Sequence, residues 1–306
     1  MSTIASTSTE RRLTSDVVIG IPAYNEADTV GAVVRAARAP EFNVLVVDDG
    51  SDDRTAAVAA DAGATVVRHD RNRGYGAALG TLFATANDHD VAHLVVVDAD
   101  GQHDPADAMD LVETQRRSDS DIVIGSRFVG DAETDMPLYR RAGLGVINGL
   151  TGAALTLGYS SERVADTQSG FRAYNADAIE LLARSADLSD GMDASLDILF
   201  HAADEDYSFA ETPVDVTYDV AEANTHNPVV HGTVLVSNVF GRVLSDRPGR
   251  VLGVPGSICL LLGGLLTRVP IVGFTLLSVL VTALLLTGSG LLGAALAIGR
   301  LRPGPE

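Results

Sequence analysis

Five times in the first 130 residues a run of Val, Ile and Leu stops abruptly at polar residues. The runs are VVIGIPAY (17–24), VLVVDDG (44–50), ATVVRHD (64–70), HLVVVDAD (93–100) and DIVIGSRF (121–128). Unbroken apolar runs, rather than alternating ones, mark strands covered on both faces. Helical spacing follows the first run to about Ala39, the second to about Ala62, and the third from about Ala77 to Ala86. The fourth precedes a helix that Asp104 can cap, with Pro105 at its first position. The alternation predicts an α/β fold: a mostly parallel sheet flanked by helices. In such sheets ligands bind at the carboxyl ends of strands. The polar clusters sit at those ends.

Each cluster has a chemistry and a plainer explanation. IPAYNE supplies Pro22, Tyr24 and Glu26, an edge for a flat base; a turn and a helix cap would also account for it. Asp48 and Asp49 in VVDDGSDD can accept hydrogen bonds from a base or ribose, while Ser51 or Asp52 could cap the next helix. RNRGYGAA puts Arg71, Arg73 and Gly74 before a helix, a composition suited to phosphate. In VDADGQHDP, Asp98 and Asp100 alternate along an extended chain and so point to one side, and Gln102 continues that side if the chain stays extended. Two carboxylates and an amide oxygen suit Mg²⁺ or Mn²⁺, with open positions left for phosphate oxygens. Helix capping by Asp100 and Asp104 is the plainer use of the acids here, and it leaves Asp98 unexplained.

Charge divides the chain. Of 22 basic residues all are Arg, against 41 acids, for a net charge of −19. No basic footprint for nucleic acid exists. An acidic, lysine-free surface fits a high-salt cytoplasm, where repulsion is screened. GC-rich codon usage explains the missing Lys but not the acid excess. The first fifteen residues are Ser/Thr-rich, without an apolar signal core, and read as a flexible tail. From Val251 to Gly299 the only ionisable side chains are Cys259 and Arg268. Residues 251–267 would span about 26 Å as a helix, and 269–299 about 46 Å, too long for one upright span. GSG at 288–290 is expected to break or kink the second. Arg242, Arg247 and Arg250 before, and Arg300 and Arg302 after, favour a 251–300 transmembrane hairpin with both ends in the cytoplasm. A buried hairpin of a soluble protein is the alternative. Residues 226–250 read as a juxtamembrane segment, with an amphipathic interfacial helix around Val229–Leu244.

IPAYNE, VVDDGSDDRT, NRGYGAA, VDADGQHDP, IGSRF and DTQSGFRAY occur in the order seen in glycosyltransferase family 2. The chain resembles its polyprenyl-phosphate hexose synthase branch, which includes dolichyl-phosphate mannose and glucose synthases, over about residues 17–220. YDVAEANTHNPVVHG (218–232) followed by an apolar tail is similar to haloarchaeal enzymes that load the first hexose of the S-layer N-glycan onto dolichol phosphate. The resemblance implies a GT-A domain over 16–225. It implies that Pro22, Tyr24, Glu26 and Asp49, with Arg71, Gly74 and Asp98, bind a nucleotide-diphosphate hexose. Asp98, Asp100 and Gln102 would hold the divalent ion. Arg127 would sit near a phosphate, and Asp166, Gln168, Ser169 and Arg172 would line the reaction centre. Arg140 and Arg141 fall where such enzymes bind the lipid phosphate.

The implied reaction is one inverting displacement by dolichyl phosphate, already ionised near neutral pH. Metal and Arg charge would orient two mutually repelling anions. A processive polysaccharide synthase is disfavoured, since its Gln-x-x-Arg-Trp motif needs a Trp and the chain has none. A transferase extending a lipid-linked sugar would need a base such as Asp166. A silent nucleotide-sugar-binding membrane scaffold would be expected to lose Asp98 or Asp100, and both are present.

Overall fold

The computed structural model describes residues 16–40, 42–130, 136, 138–159, 164–185, 194–216, 244, 248–266 and 275–300. The tail 1–15, nearly all of 226–250 and the YDVAEANTHNPVVHG stretch lie outside them. All five predicted strands form: β1 (Val17–Ala23), β2 (Asn43–Asp48), β3 (Thr65–Arg68), β4 (His93–Val96) and β5 (Ile122–Ser126). Two more were not foreseen, β6 (Arg172–Asn175) and β7 (Phe209–Pro213). They make one sheet of order β3-β2-β1-β4-β6-β5-β7. Every pairing is parallel except those of β6, which runs antiparallel to β4 and β5.

Every residue of β1 is buried, as its unbroken apolar run requires. Helix α1 (Val30–Arg38) brings Val30, Val33 and Val34 to one face, where α4 (Ala108–Ser118) adds Leu111 and Val112; they join Ile19, Ile21, Val46 and Val95. Helix α2 (Thr55–Asp61) lies against β2 and β3. On the other face α3 (Tyr75–Asp88) sets Leu82 over Gly20, with α6 (Ala176–Arg184) and α7 (Ala194–Asp204) beside it. Fully burying side chains of this size contributes about 1.5–3 kcal/mol each. The mostly parallel, doubly covered sheet read from the sequence is the one observed.

Helix starts depart from the reading in detail. Neither Ser51 nor Asp52 caps α2; Asp53 Oδ1 accepts from Thr55 N (2.9 Å), and Ser51 Oγ instead accepts from Asn25 N (2.9 Å). Asp104 does act as a cap, accepting from Ala106 N (2.9 Å), but Pro105–Asp107 is a 3₁₀ turn before α4.

A second compact unit contains the C-terminal helices. Within it α8 (Val254–Leu266) and α9 (Thr275–Arg300) pack against each other. Gly253 lies near Ala295, and Gly256 near Gly288 and Leu292, so the two run antiparallel. Residues 267–274 between them lie outside the described residues. The expected break at GSG does not occur: α9 is continuous through 288–290. A Cβ on Gly288 would lie 2.7 Å from the Gly256 carbonyl oxygen. The glycine is there for close backbone approach. Among the described residues one helix is long and apolar enough to cross a membrane, through Val281–Ile298, with mean hydropathy 2.0 and only 11 % of that window buried. Helix α8, at about 20 Å, is shorter than a bilayer core. The remaining helix, α5 (Leu138–Tyr159), leaves Val146 and Leu150 exposed.

Gly50 fixes how the loop after β3 crosses the end of β2. Its φ is +73°, and a Cβ there would sit 2.2 Å from the Arg71 carbonyl carbon. Gly50→Ala must separate two backbones and strain its own left-handed φ. We expect a loss on the order of 3 kcal/mol, read as a fall in calorimetric Tm at constant high salt.

Candidate active site

Strand direction assembles one cleft. β1, β2 and β4 all end at the same edge of the sheet. β6 enters from the opposite direction, pairing Arg172 with Val96, so the residues just before it arrive at that edge too. A cavity of about 440 Å³ opens there. Pro22, Tyr24 and Glu26 come from the end of β1 and Asp49 from the end of β2; Asp98 and Asp100 follow β4. Gly74 and Tyr75 come from the start of α3, and Gln168 and Gly170 from the turn before β6. Eight sequence-predicted residues are therefore together in one cavity.

At one end, Asp49 is 3 % exposed and its carboxylate organises the loop above it. It accepts from Arg73 N (3.0 Å), Gly74 N (2.8 Å) and the His69 ring (2.6 Å). Its neighbour Asp48 is fully buried and pairs with Arg68 (3.0 Å). Asp48 serves the fold; Asp49 faces the cavity. Tyr24, at 41 % exposure, offers a ring on which a flat group can stack.

At the other end, Tyr75 Oη donates to Asp98 Oδ1 (3.0 Å). Burial, then the Asp98 charge, pushes the Tyr75 phenol well above its ordinary range and keeps it a donor. Burial first and Asp100 second push the Asp98 carboxyl up to about 6, against the pull of Tyr75, Arg172 and Arg127. A dication would relieve both causes, and an all-oxygen donor set suits Mg²⁺ or Mn²⁺. Among the described residues no three carboxylate, imidazole or thiol side chains converge. Further coordination positions would fall to water or ligand oxygens.

The extended geometry expected for these acids is not what holds them. β4 ends at Val96, and 99–101 form a turn with Gly101 at φ +75°. Gln102 N donates to Asp100 Oδ1 (3.0 Å), so its backbone positions Asp100, while its side chain does not line the cavity. His103 is buried against Phe171, ring centroids 5.0 Å apart. Burial, then Arg127, lowers its pKa to about 4 despite Asp166.

Among the described side chains, the predicted Arg71, Arg127, Arg141, Asp166, Ser169 and Arg172 do not line that cavity. Arg71 lines a separate open groove along α3, with Arg73 and Asp88. Arg127, just past β5, grips Asp166 through Nε (2.7 Å) and Nη2 (2.8 Å), a two-pronged pair around a fully buried carboxylate. Glu211 holds the Asp166 and Ala165 amides (2.9 and 2.8 Å). Arg172 is buried and donates to the carbonyls of Ser195 (2.7 Å) and Thr167 (3.0 Å), tying α7 to the turn before β6. Ser169 is buried beside it and caps Phe171 N (3.3 Å). Arg141 is exposed near the start of α5; of Arg140 only the helical backbone is described. Tyr75, His69 and Gly170 carry no role in the sequence reading. Their partners stand 23, 20 and 72 residues away in the chain, and no local spacing signals them.

The parallel-rich α/β sheet with a carboxylate pair at its carboxyl edge is GT-A-like, the architecture of a class of sugar transferases. The model of glycosyl transferase family 2 matches residues 18–181, and the chain belongs to that family. It is 31 % identical over 215 residues to the polyprenol monophosphomannose synthase of Mycolicibacterium smegmatis, covering 67 % of this chain and 79 % of that one. It is 28 % identical over 234 residues to a dolichyl-phosphate hexose transferase of Haloferax volcanii, covering 76 % and 96 %. A Mycobacterium tuberculosis glucosyl-3-phosphoglycerate synthase, crystallised with Mn²⁺, UDP and its product, shares the fold at TM-score 0.52 and 19 % identity, over 76 % of this chain and 79 % of that one.

Gly170 tests how tightly the acid is held. A Cβ on it would meet Asp98 Oδ2 at 2.7 Å, so Gly170→Ala must displace the carboxylate. Transferase turnover should fall on the order of 100-fold, as for a misplacement of about 1 Å. The accompanying Tm loss should stay within about 4 °C.

Proposed function

We propose that this protein transfers a hexose from a nucleotide-diphosphate sugar to the phosphate of a dolichol-type lipid. The observation that carries the reading is the cavity itself. It joins a base-sized acceptor end, Tyr24 and Asp49, to a paired-carboxylate end, Asp98 and Asp100, in one cleft. That is the layout a nucleoside diphosphate sugar demands: an aromatic and an acceptor for the base, then cation-holding oxygens for the diphosphate. The named relatives act on polyprenyl or dolichyl carriers.

Asp98 and Asp100 would hold Mg²⁺ or Mn²⁺, which when bound neutralises charge on a departing diphosphate. Tyr75 fixes Asp98 by donating to it, and the Gln102 amide fixes Asp100. Gln168 and the Gly170 backbone border the space left for the sugar. A phosphate oxygen attacks the anomeric carbon as the bond to the diphosphate breaks, with inversion and no covalent enzyme intermediate. The acceptor is already an anion, so no base is required. Arg127 is held past β5 by its pair with Asp166, and Arg140 and Arg141 on α5 are the candidates for the lipid phosphate. Arg172 contributes by holding the turn that carries Gln168.

A phosphate acceptor is favoured over a sugar hydroxyl by one observation. Asp166, the base an extending transferase would need, is fully buried and clamped by Arg127. We assign residues 16–225 to catalysis, 226–250 to the membrane surface and 251–300 to a membrane anchor, with the catalytic domain on the cytoplasmic side of a halophile's cell membrane. The product would begin N-glycan assembly.

High-salt membranes carrying the protein should move labelled hexose onto dolichyl phosphate from UDP-glucose or GDP-mannose, and chelation should abolish transfer. Asp98→Asn and Asp100→Asn should each lower turnover at least ~100-fold. Transfer to a lipid-linked hexose but not to dolichyl phosphate would refute the acceptor assignment.

A further inference from the structure

Asp49 has a limited capacity to accept hydrogen bonds, and most of it is used inside the protein. A carboxylate offers about four acceptor positions, two on each oxygen. Both positions on Oδ1 are taken, one by Arg73 N (3.0 Å) and one by His69 Nδ1 (2.6 Å). One position on Oδ2 is taken by Gly74 N (2.8 Å). A single acceptor position on Oδ2 is left for a ligand. His69 is 7 % exposed and does not line the cavity; its other nitrogen pairs with Thr81 Oγ1 (2.8 Å) in the second turn of α3. The imidazole thus bridges Asp49 to the helix whose first turn carries Gly74 and Tyr75.

The geometry points to His69 as a positioning residue that, by occupying Asp49, fits the nucleotide end of the cavity to a uracil-type base. Uracil presents one ring N–H, N3–H, between two carbonyl oxygens. Guanine presents two adjacent donors, N1–H and the N2 amino group. One remaining acceptor position matches the first edge fully and leaves one donor of the second without a partner on Asp49. A donor that gives up water and gains no partner weakens binding by about tenfold or more. A site built for a particular hydrogen-bonding edge discriminates strongly against one that mismatches it. This inference rests on the nucleotide-sugar reading of the cavity.

The test is titration calorimetry of the full chain in detergent and high salt, with Mg²⁺, against UDP and GDP. UDP should bind at least about tenfold more tightly than GDP. Equal affinities, or tighter GDP, would overturn the base assignment while leaving the nucleotide reading intact; binding of neither would sink both. His69→Leu frees an Oδ1 position, and its preference for UDP over GDP should fall at least threefold. His69→Asn, whose amide nitrogen can replace Nδ1 as a donor, should restore it. A purely structural histidine would weaken both nucleotides together and leave their ratio unchanged, which would overturn its positioning role.

Discussion

β6 enters the sheet against the direction of β4 and β5, and the carboxyl edge is complete only because it does. A parallel strand in that slot would bring its amino-terminal flank to the far side of the sheet. The reversed strand instead delivers the turn 166–171 beside the end of β4. Gly125 N bonds to the Phe171 carbonyl (2.8 Å), which pins the turn to β5 as well. The position of Gln168 and Gly170 beside the two carboxylates depends on that contact. Gly170 lets the Asp98 carboxylate lie against backbone, and Arg172 anchors the turn from below through two carbonyls. A buried guanidinium is costly unless its donors are used. Its use on the Thr167 and Ser195 carbonyls explains why an Arg stands in the first position of a central strand.

The electrostatics separate into two kinds. Pairs on the surface, such as Arg184 with Glu180 one helical turn apart, are largely screened where the Debye length is about 3 Å at 1 M salt. A pair buried on both sides, Asp166 with Arg127, is screened far less. An acidic surface suited to strong salt can therefore coexist with a site that works by charge. The unrelieved repulsion is concentrated at Asp98 and Asp100. That is where a cation and a diphosphate would be expected to complete the charge balance.

The first five strands were legible because parallel strands buried on both faces leave no polar residue to interrupt the run. β6 (RAYN) and β7 (FAETP) were not: they are short, and Arg172, Asn175 and Glu211 spoil the apolar signal. Residue identity at the cleft was readable from strand ends, which is why Pro22, Tyr24, Glu26, Asp49, Asp98 and Asp100 meet in one cavity. Geometry was not. Extended parity assumed that β4 continues through Asp100, and the turn ending in Gly101 replaces it. Arg127, Asp166 and Arg172 read as site residues by motif, yet the structure uses their charges on one another and on backbone. Partners such as Tyr75 for Asp98, or His69 for Asp49, depend on the crossing of distant segments and leave no periodic trace.

The glycines of the C-terminal helices show why the same residue can be misread in one solvent and understood in another. In water, Gly within a helix costs up to about 1 kcal/mol and exposes backbone, so GSG looks like a break. In lipid the backbone must stay hydrogen-bonded within the helix, which favours continuity through a glycine. Lipid also removes the hydrophobic drive that would bring two apolar helices together, leaving close packing to do so. Gly256 and Gly288 face each other at a separation that admits no Cβ on either, while Leu261 and Leu286 on the outer surfaces stay exposed. Backbone-to-backbone contact at glycines inward, with exposed leucines outward, is unlike a water-soluble helix pair. This is the arrangement expected of helices whose solvent is the acyl chain of a bilayer.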